Sequence, residues 1–398
     1  MQAELLAPAG SFSKMETALH FGADAVYLGG KNFSLRTFAD NFTSEELQKA
    51  VALAHSIGKK VYVTVNILAR NYDFALLGEY LQELSICGVD GVIVSDAGVV
   101  YLARKVAPKL SLHLSTQANT TNKYSVKFWQ DEGIARVILA RELSLKEIAE
   151  IHAFVPEMEL EAFVHGAMCI SYSGRCLLSD YLDGRSSNRG ACVQSCRWRY
   201  EVRALNATNG QSEWLPIEED AKGTYIFNSK DLNMLSRLRE MENVGVRSFK
   251  IEGRMKSAYY LATVINAYRR AMDGEDEKMS ADELLAVAHR EYTQAYADGQ
   301  NRHTVNYADS QSKGEYVYIA DVLDSHDGWV YAQMRNRFYK GDVLEVLSPD
   351  NHFKKSFTVT EMYTSKGEQT DDAKLVCETY KIACPYQLKK GDFLRRKV

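Results

Sequence analysis

No run of this sequence stays apolar long enough to cross a bilayer. Its first ten residues, MQAELLAPAG, lack the basic and apolar regions of a secretory leader. Both absences predict a cytoplasmic protein with no membrane partner. Positive charge is not in excess either: 48 Lys and Arg stand against 52 Asp and Glu, a formal charge of −4. That excludes a global basic field for nucleic acid and leaves only local patches. Cysteine is sparse, 7 in 398 residues. A reduced compartment and a chain long enough to bury a core argue against a disulfide framework. Also missing are H-E-x-x-H, G-x-S-x-G, a Walker phosphate loop and a dinucleotide fingerprint, each of which would have named a chemistry.

What is present is a recurring local pattern. GADAVYL (22–28), GVDGVIV (88–94), GIARVIL (133–139) and GVRSFKI (245–251) each begin with glycine and carry apolar residues at offsets four and six. Glycine ends a helix cheaply in the left-handed conformation, and the alternation that follows starts a buried strand. With ELLAPAG, GKKVYVTVN, LSLHLSTQ and MELEAFVHG, the strands start near residues 4, 24, 60, 91, 111, 136, 158 and 247. Helices between them carry start signals: Thr43 with Glu46, and Ser144 with Glu147, have capping-box spacing. SAYYLATVINAYRRAM (257–272) places apolar residues along one helix face. Eight strands alternating with helices predict an α/β fold, a (β/α)8 TIM-like barrel. A doubly wound open sheet is the alternative.

The expected organisation is a barrel over 1–275 with an insertion at about 167–245, a helix and polar linker over 276–314, and a small β-barrel or sandwich over 315–398. The insertion follows the seventh strand, so it lies over the face where barrel enzymes do their chemistry. It carries Cys169, Cys176, Cys192 and Cys196 in the spacing C-x6-C-x15-C-x3-C. No close C-x2-C pair is present, as zinc knuckles prefer, whereas iron–sulfur clusters accept wider spacing. From spacing alone, zinc, iron–sulfur, a single nucleophile and unrelated thiols all stay open. His165, at the end of the seventh strand, is a candidate ligand or base. KIEGRMK (250–256) ends the eighth strand, and period-two alternation points Lys250, Glu252 and Arg254 to one side. Arg36, Gln117, Arg141 and Glu142 also fall just beyond strand ends. Such a mouth suits a carboxylate-bearing ligand, because arginine binds carboxylates bidentately. For nucleic acid the signals are local: WRYEVR (198–203) and the basic end KKGDFLRRK (389–397).

EAFVHGAMCISYSGRCLLSDY (161–181), with ELLAPAG, GADAVYLG, HLSTQAN, RVILARELS, NRGACVQSCRW, GTYIFNSKDL and FKIEGRMKS, resembles the collagenase-like peptidase family. The resemblance covers nearly all of residues 1–300 and extends to the C-terminal module. It is strongest to members associated with prephenate-dependent hydroxylation of the wobble uridine of tRNA to 5-hydroxyuridine. It implies a 4Fe–4S cluster on Cys169, Cys176 and Cys192. Cys196 would be the fourth ligand, since Asn233 stands where many relatives have a cysteine. It further implies tRNA and prephenate as partners. The strand-end residues read by themselves suggest catalytic roles for His165, Lys250 and Glu252. Arg36, Gln117, Arg141, Glu142 and Arg254 would hold substrate. The alternatives are a peptidase and a non-catalytic RNA-binding subunit with a structural metal. Whether a protein partner or a homo-oligomer is required is open.

Overall fold

The computed structural model describes residues 3–35, 40–169, 171–172, 174–198, 229–299 and 314–398, with short strand pieces at 203–205, 212–214, 219–220 and 223–224. Eight parallel strands form a closed barrel: β1 (Glu4–Pro8), β2 (Ala25–Gly29), β3 (Lys60–Val65), β4 (Gly91–Val94), β5 (Leu112–Leu114), β6 (Arg136–Ile138), β7 (Glu159–Ala167) and β8 (Val246–Ile251). Each pairs with the next in sequence, and β8 pairs with both β1 and β7, which closes the ring. The barrel reading therefore holds and the open sheet is excluded.

The glycines behave as their positions predict. Gly88 ends its helix at φ 77°, and Gly245 precedes β8 at φ 103°, a region that side chains with a Cβ rarely enter. The helices between strands are α1 (Phe12–His20), α2 (Ser44–Ser56), α3 (Phe74–Cys87), α4 (Ala97–Val106), α5 (Lys123–Asp131), α6 (Leu145–Phe154), α7 (Leu238–Asn243) and, after β8, α8 (Ala258–Met272). Both capping boxes form. The Thr43 N–H donates to Glu46 at 2.8 Å and the Ser144 N–H to Glu147 at 2.8 Å. Inside the barrel, Leu6, Ala25, Tyr27, Tyr62, Ile93 and Ile138 make one apolar cluster, with Phe163 against it.

By its contacts the chain divides into two compact units. One holds the strands up to Met255, without residues 13–23, together with the stretch from Arg290; the other holds 13–23, 256–289 and the C-terminal module. In that second unit a seven-stranded antiparallel sheet runs from Tyr316 to Lys397. Its apolar core includes Ile319, Val330, Phe338, Leu344 and Ile382. α8 is buried along Tyr259–Tyr268, not on one face alone. Tyr259 stacks on Tyr318 at 5.0 Å and Arg270 lies over Phe353. The helix expected within 276–314 runs over Glu277–Leu284. Its C-terminal turn is diverted where Leu285 O accepts the N–H of Glu315.

The two arginines of the basic C-terminal end are paired within the fold, while Lys389, Lys390 and Lys397 are exposed. Arg395 is fully buried between Glu283 and Glu345, and Arg396 pairs with Asp342. A charge cancelled inside the fold projects little field outward. No helix among the described residues is long and apolar enough to cross a membrane.

Candidate active site at the mouth of the barrel

Charge enters the barrel interior from the strands themselves. Arg136 begins β6 and is 2% exposed. Its guanidinium donates to Glu4 at 2.7 Å, to Glu159 at 2.6 Å and to Glu161 at 3.0 Å. The other oxygen of Glu161 accepts from the Lys250 ammonium at 2.7 Å. Glu161 and Lys250 are both buried. Burial works to raise the Glu161 carboxyl, but Lys250 and Arg136 outweigh it and hold it below the usual carboxylate range. For Lys250, burial dominates and draws the ammonium down, opposed by Glu161. His113 lies tilted against Tyr62, and burial next to Arg136 pushes it down to about 3, so it is neutral at ordinary pH.

Above this floor lies a pocket of about 70 Å³ lined by strand ends and the turns after them. Tyr27, Thr64, Ile93, Ile138 and Phe163 form its walls, and Asn66 and Ser115–Gln117 its polar edge. Arg141, Lys250 and Arg254 bring three cations, and Glu252 one carboxylate. Lys250 sits 4.3 Å above the Tyr27 ring and Arg141 3.9 Å from the Phe163 ring centre. Arg141 donates to the Ala167 carbonyl at 2.8 Å. Arg254 is 2% exposed and donates to Ser34 (2.8 Å), Thr64 (2.9 Å), the Leu35 carbonyl (2.6 Å) and Asn41 (3.0 Å). Gly29 makes room for it, since a Cβ there would lie 2.8 Å from the guanidinium. The excess of cations favours an anionic ligand. The volume is small beside the roughly 300–1,000 Å³ of small-molecule sites, so it admits a headgroup rather than a whole molecule.

Five of the anticipated residues therefore meet in one pocket: Gln117, Arg141, Lys250, Glu252 and Arg254. Two do not line it. His165 is buried, and its ring packs on Tyr292 at 5.5 Å. The reason is a register shift: Lys250 pairs with Phe163 but Ile251 pairs with His165, which leaves Val164 as a bulge. One extra residue reverses the alternation and turns the next side chain off the face expected for it. Glu142 is half-buried, and burial pushes its carboxyl up. Arg36 lies outside the described residues. The residues that spacing did not single out are Arg136 and Glu161. A charged residue alternating with apolar ones inside a barrel strand, as in MELEAFV, was the available signal.

The cysteine segment is tied to this mouth by Arg189 and by close glycine contacts, and is stitched within itself. Arg189 grips Asp73 through both guanidinium ends, at 2.9 and 3.1 Å, and donates to the Leu68 carbonyl. Ser187 and Asn188 donate to the Cys176 carbonyl. Gly174, at φ +75°, comes so close to the Gln117 carbonyl that a Cβ would collide with it. Gly166 is similarly placed, 2.7 Å from the Glu252 carbonyl by its absent Cβ. None of the four cysteines forms a disulfide: Cys169 is exposed, and Cys176, Cys192 and Cys196 are half-buried. Cys192 Sγ accepts from the Gln194 N–H at 3.4 Å and the Ser179 hydroxyl at 3.6 Å. Four cysteines outside any disulfide, one with its sulfur accepting hydrogen bonds, suit an iron–sulfur cluster in chemistry. Among the described residues, however, no three Cys, His, Asp or Glu side chains gather as a metal-binding group.

Comparison with known proteins places this geometry. Residues 10–307 match the model of peptidase family U32, and residues 314–395 match that of the U32 C-terminal domain. The chain is 39% identical to a tRNA hydroxylation protein of Bacillus subtilis, over 99% of this chain and 94% of that protein. It is 36% identical to a 23S rRNA 5-hydroxycytidine synthase of Escherichia coli, over 68% of this chain and 39% of the relative. It is also 32% identical to a collagenase of Porphyromonas gingivalis, over 75% of this chain and 74% of the relative. With both parts of the chain matched and this identity over nearly its full length, the chain belongs to peptidase family U32.

Proposed function

We propose that this chain is an RNA-hydroxylating enzyme that converts the wobble uridine of tRNA to 5-hydroxyuridine, with prephenate as co-substrate. The observation that carries the reading is the cation-lined pocket at the C-terminal ends of the barrel strands, with the cysteine segment pinned to its edge. The relatives named for tRNA hydroxylation and for 5-hydroxycytidine synthesis support the reaction class. Prephenate is a dicarboxylate, and Arg141 and Lys250 present the cations that bind such groups. In a pocket this small, a carboxylate arm enters while the ring stays at the rim. Glu252, the one carboxylate of the lining, is the group that would take or give a proton. Apolar walls at Tyr27, Ile93, Ile138 and Phe163 exclude water and strengthen each charge interaction. Cys169, Cys176, Cys192 and Cys196 would hold a 4Fe–4S cluster, which when bound supplies one-electron transfer.

The test is deletion of the gene and nucleoside mass spectrometry of total tRNA. Nucleosides derived from 5-hydroxyuridine disappear and return with the wild-type gene; unchanged tRNA sinks the reading. Protein purified without oxygen should carry iron and sulfide, lost in Cys169→Ser and Cys176→Ser. Iron-free active protein removes the cluster from the mechanism. Gelatin cleavage by pure protein, abolished in Glu252→Ala, would move the chain to the peptidases instead.

A further inference from the structure

Beside the deep pocket is a larger cavity, about 540 Å³, lined by Asn119, Ser171, Tyr172 and Arg175. That volume falls within the roughly 300–1,000 Å³ of small-molecule sites. Tyr172 and Arg175 belong to one turn, closed by the Arg175 N–H donating to the Tyr172 carbonyl at 3.0 Å. Gly174 of that turn rests on the Gln117 backbone with no room for a Cβ. The turn is thereby wedged against the segment after β5. That same segment sends Gln117 into the deep pocket and Asn119, at φ 54°, into the outer cavity. The two cavities are thus neighbours across one short stretch of backbone.

The chemistry of the outer cavity differs from that of the inner one. Its side chains are one aromatic ring, one guanidinium, one amide and one hydroxyl. Tyr172 is 53% exposed, a large apolar face left to solvent. Arg175 is exposed and makes no ion pair among the described residues. An exposed tyrosine stacks on any base, a guanidinium takes a phosphate, and amide and hydroxyl groups pair with a base edge. A small dicarboxylate has its cations deeper down, at Arg141, Lys250 and Arg254. A polynucleotide cannot enter the barrel and must be held at its rim.

We propose that the Tyr172–Arg175 turn is a nucleotide clamp for single-stranded RNA, with Tyr172 stacking on a base and Arg175 holding the adjoining phosphate. This rests on the hydroxylation reading and specifies where its RNA is gripped. The clamp adjoins the pocket through the segment that carries both Gln117 and Asn119.

The experiment measures binding of a tRNA anticodon stem-loop to the full-length protein across a salt series. Tyr172→Ala, Tyr172→Phe, Arg175→Ala and Arg175→Lys are compared with wild type, and iron content is followed in parallel. Tyr172→Ala is expected to weaken binding roughly tenfold while Tyr172→Phe binds as wild type, since the ring and not the hydroxyl does the stacking. Arg175→Ala should lower the slope of log K against log salt by about 0.7, the loss of one phosphate contact on a single strand, and Arg175→Lys should restore it. If Tyr172→Ala also loses iron, the salt slopes of the two Arg175 variants decide. Wild-type affinity and slope in all four variants overturn the clamp. So does loss of prephenate binding with RNA binding intact. Either result leaves the hydroxylation reading standing if those variants still restore 5-hydroxyuridine-derived nucleosides to a deletion strain. That reading fails separately, when the wild-type gene has no effect on tRNA.

Discussion

Two buried arginines of the barrel, Arg136 and Arg254, solve the same electrostatic problem in different ways. At the barrel floor, Arg136 meets three carboxylates, Glu4, Glu159 and Glu161. At the mouth, Arg254 rests on two hydroxyls, a carbonyl and an amide oxygen. The floor's carboxylates cancel the charge they bind, and that network serves the fold. These four acceptors at the mouth are neutral, so they solvate the guanidinium where the floor's carboxylates pair with one. Lys250 belongs to both regions, paired below to Glu161 and facing the pocket above. The lesson is that burial of a charge does not by itself mark a site. The nature of its partners separates structural charge from functional charge.

Glu161→Ala gives the largest expected effect. It strands Arg136 and Lys250 without their shared carboxylate, and loss of one partner of a buried pair costs about 3–5 kcal/mol. Urea denaturation measures this; a loss near zero would break the comparison, because the floor would then not be a structural network. Arg254→Lys sharpens the other side. It gives up charge-assisted bonds worth about 1.5–3 kcal/mol, so stability falls less than in Glu161→Ala. Function should fall more, with 5-hydroxyuridine-derived nucleosides at about a hundredth of wild type, as misplacement in a site allows. A stable variant with full modification would mean that Arg254 is structural too.

Arg189 extends the series to the surface. It is about a quarter exposed and pairs with a single carboxylate, Asp73, so Asp73→Asn should cost only about 1 kcal/mol. The Arg189 hydrogen bond holds the Asp73 carboxyl below its usual range, against the pull of burial. A depressed folded value stabilises above the unfolded value of about 3.9, and the contribution is lost as pH falls through the folded value. Hydrogen exchange at residues 187–189 should therefore quicken below about pH 4 in wild type and be fast at neutral pH in Asp73→Asn. Exchange that ignores both pH and substitution would detach the cysteine segment from this bridge.

Much of the architecture was legible in local patterns. The strands expected near residues 4, 60, 91, 136 and 247 begin at Glu4, Lys60, Gly91, Arg136 and Val246. Both capping boxes form as spaced. Period-two alternation brought Lys250 and, past the strand end, Glu252 and Arg254 to a single pocket. The placement of His165 outside the pocket was not legible, because a bulge at Val164 is a property of two paired strands and not of either one. Nor does the run of basic residues at the C-terminal end reveal that Arg395 is buried between Glu283 and Glu345.

What the sequence determined by itself, then, is the order and kind of elements, because hydrophobic period, glycine and capping chemistry act over a few neighbouring residues. The tertiary structure alone decided which charges cancel and which are left facing the mouth. Lys250 reaches Glu161 across 89 positions of chain, and Arg254 reaches Thr64 across 190. Barrel closure and strand register set those pairings, and no local pattern encodes a partner so far away.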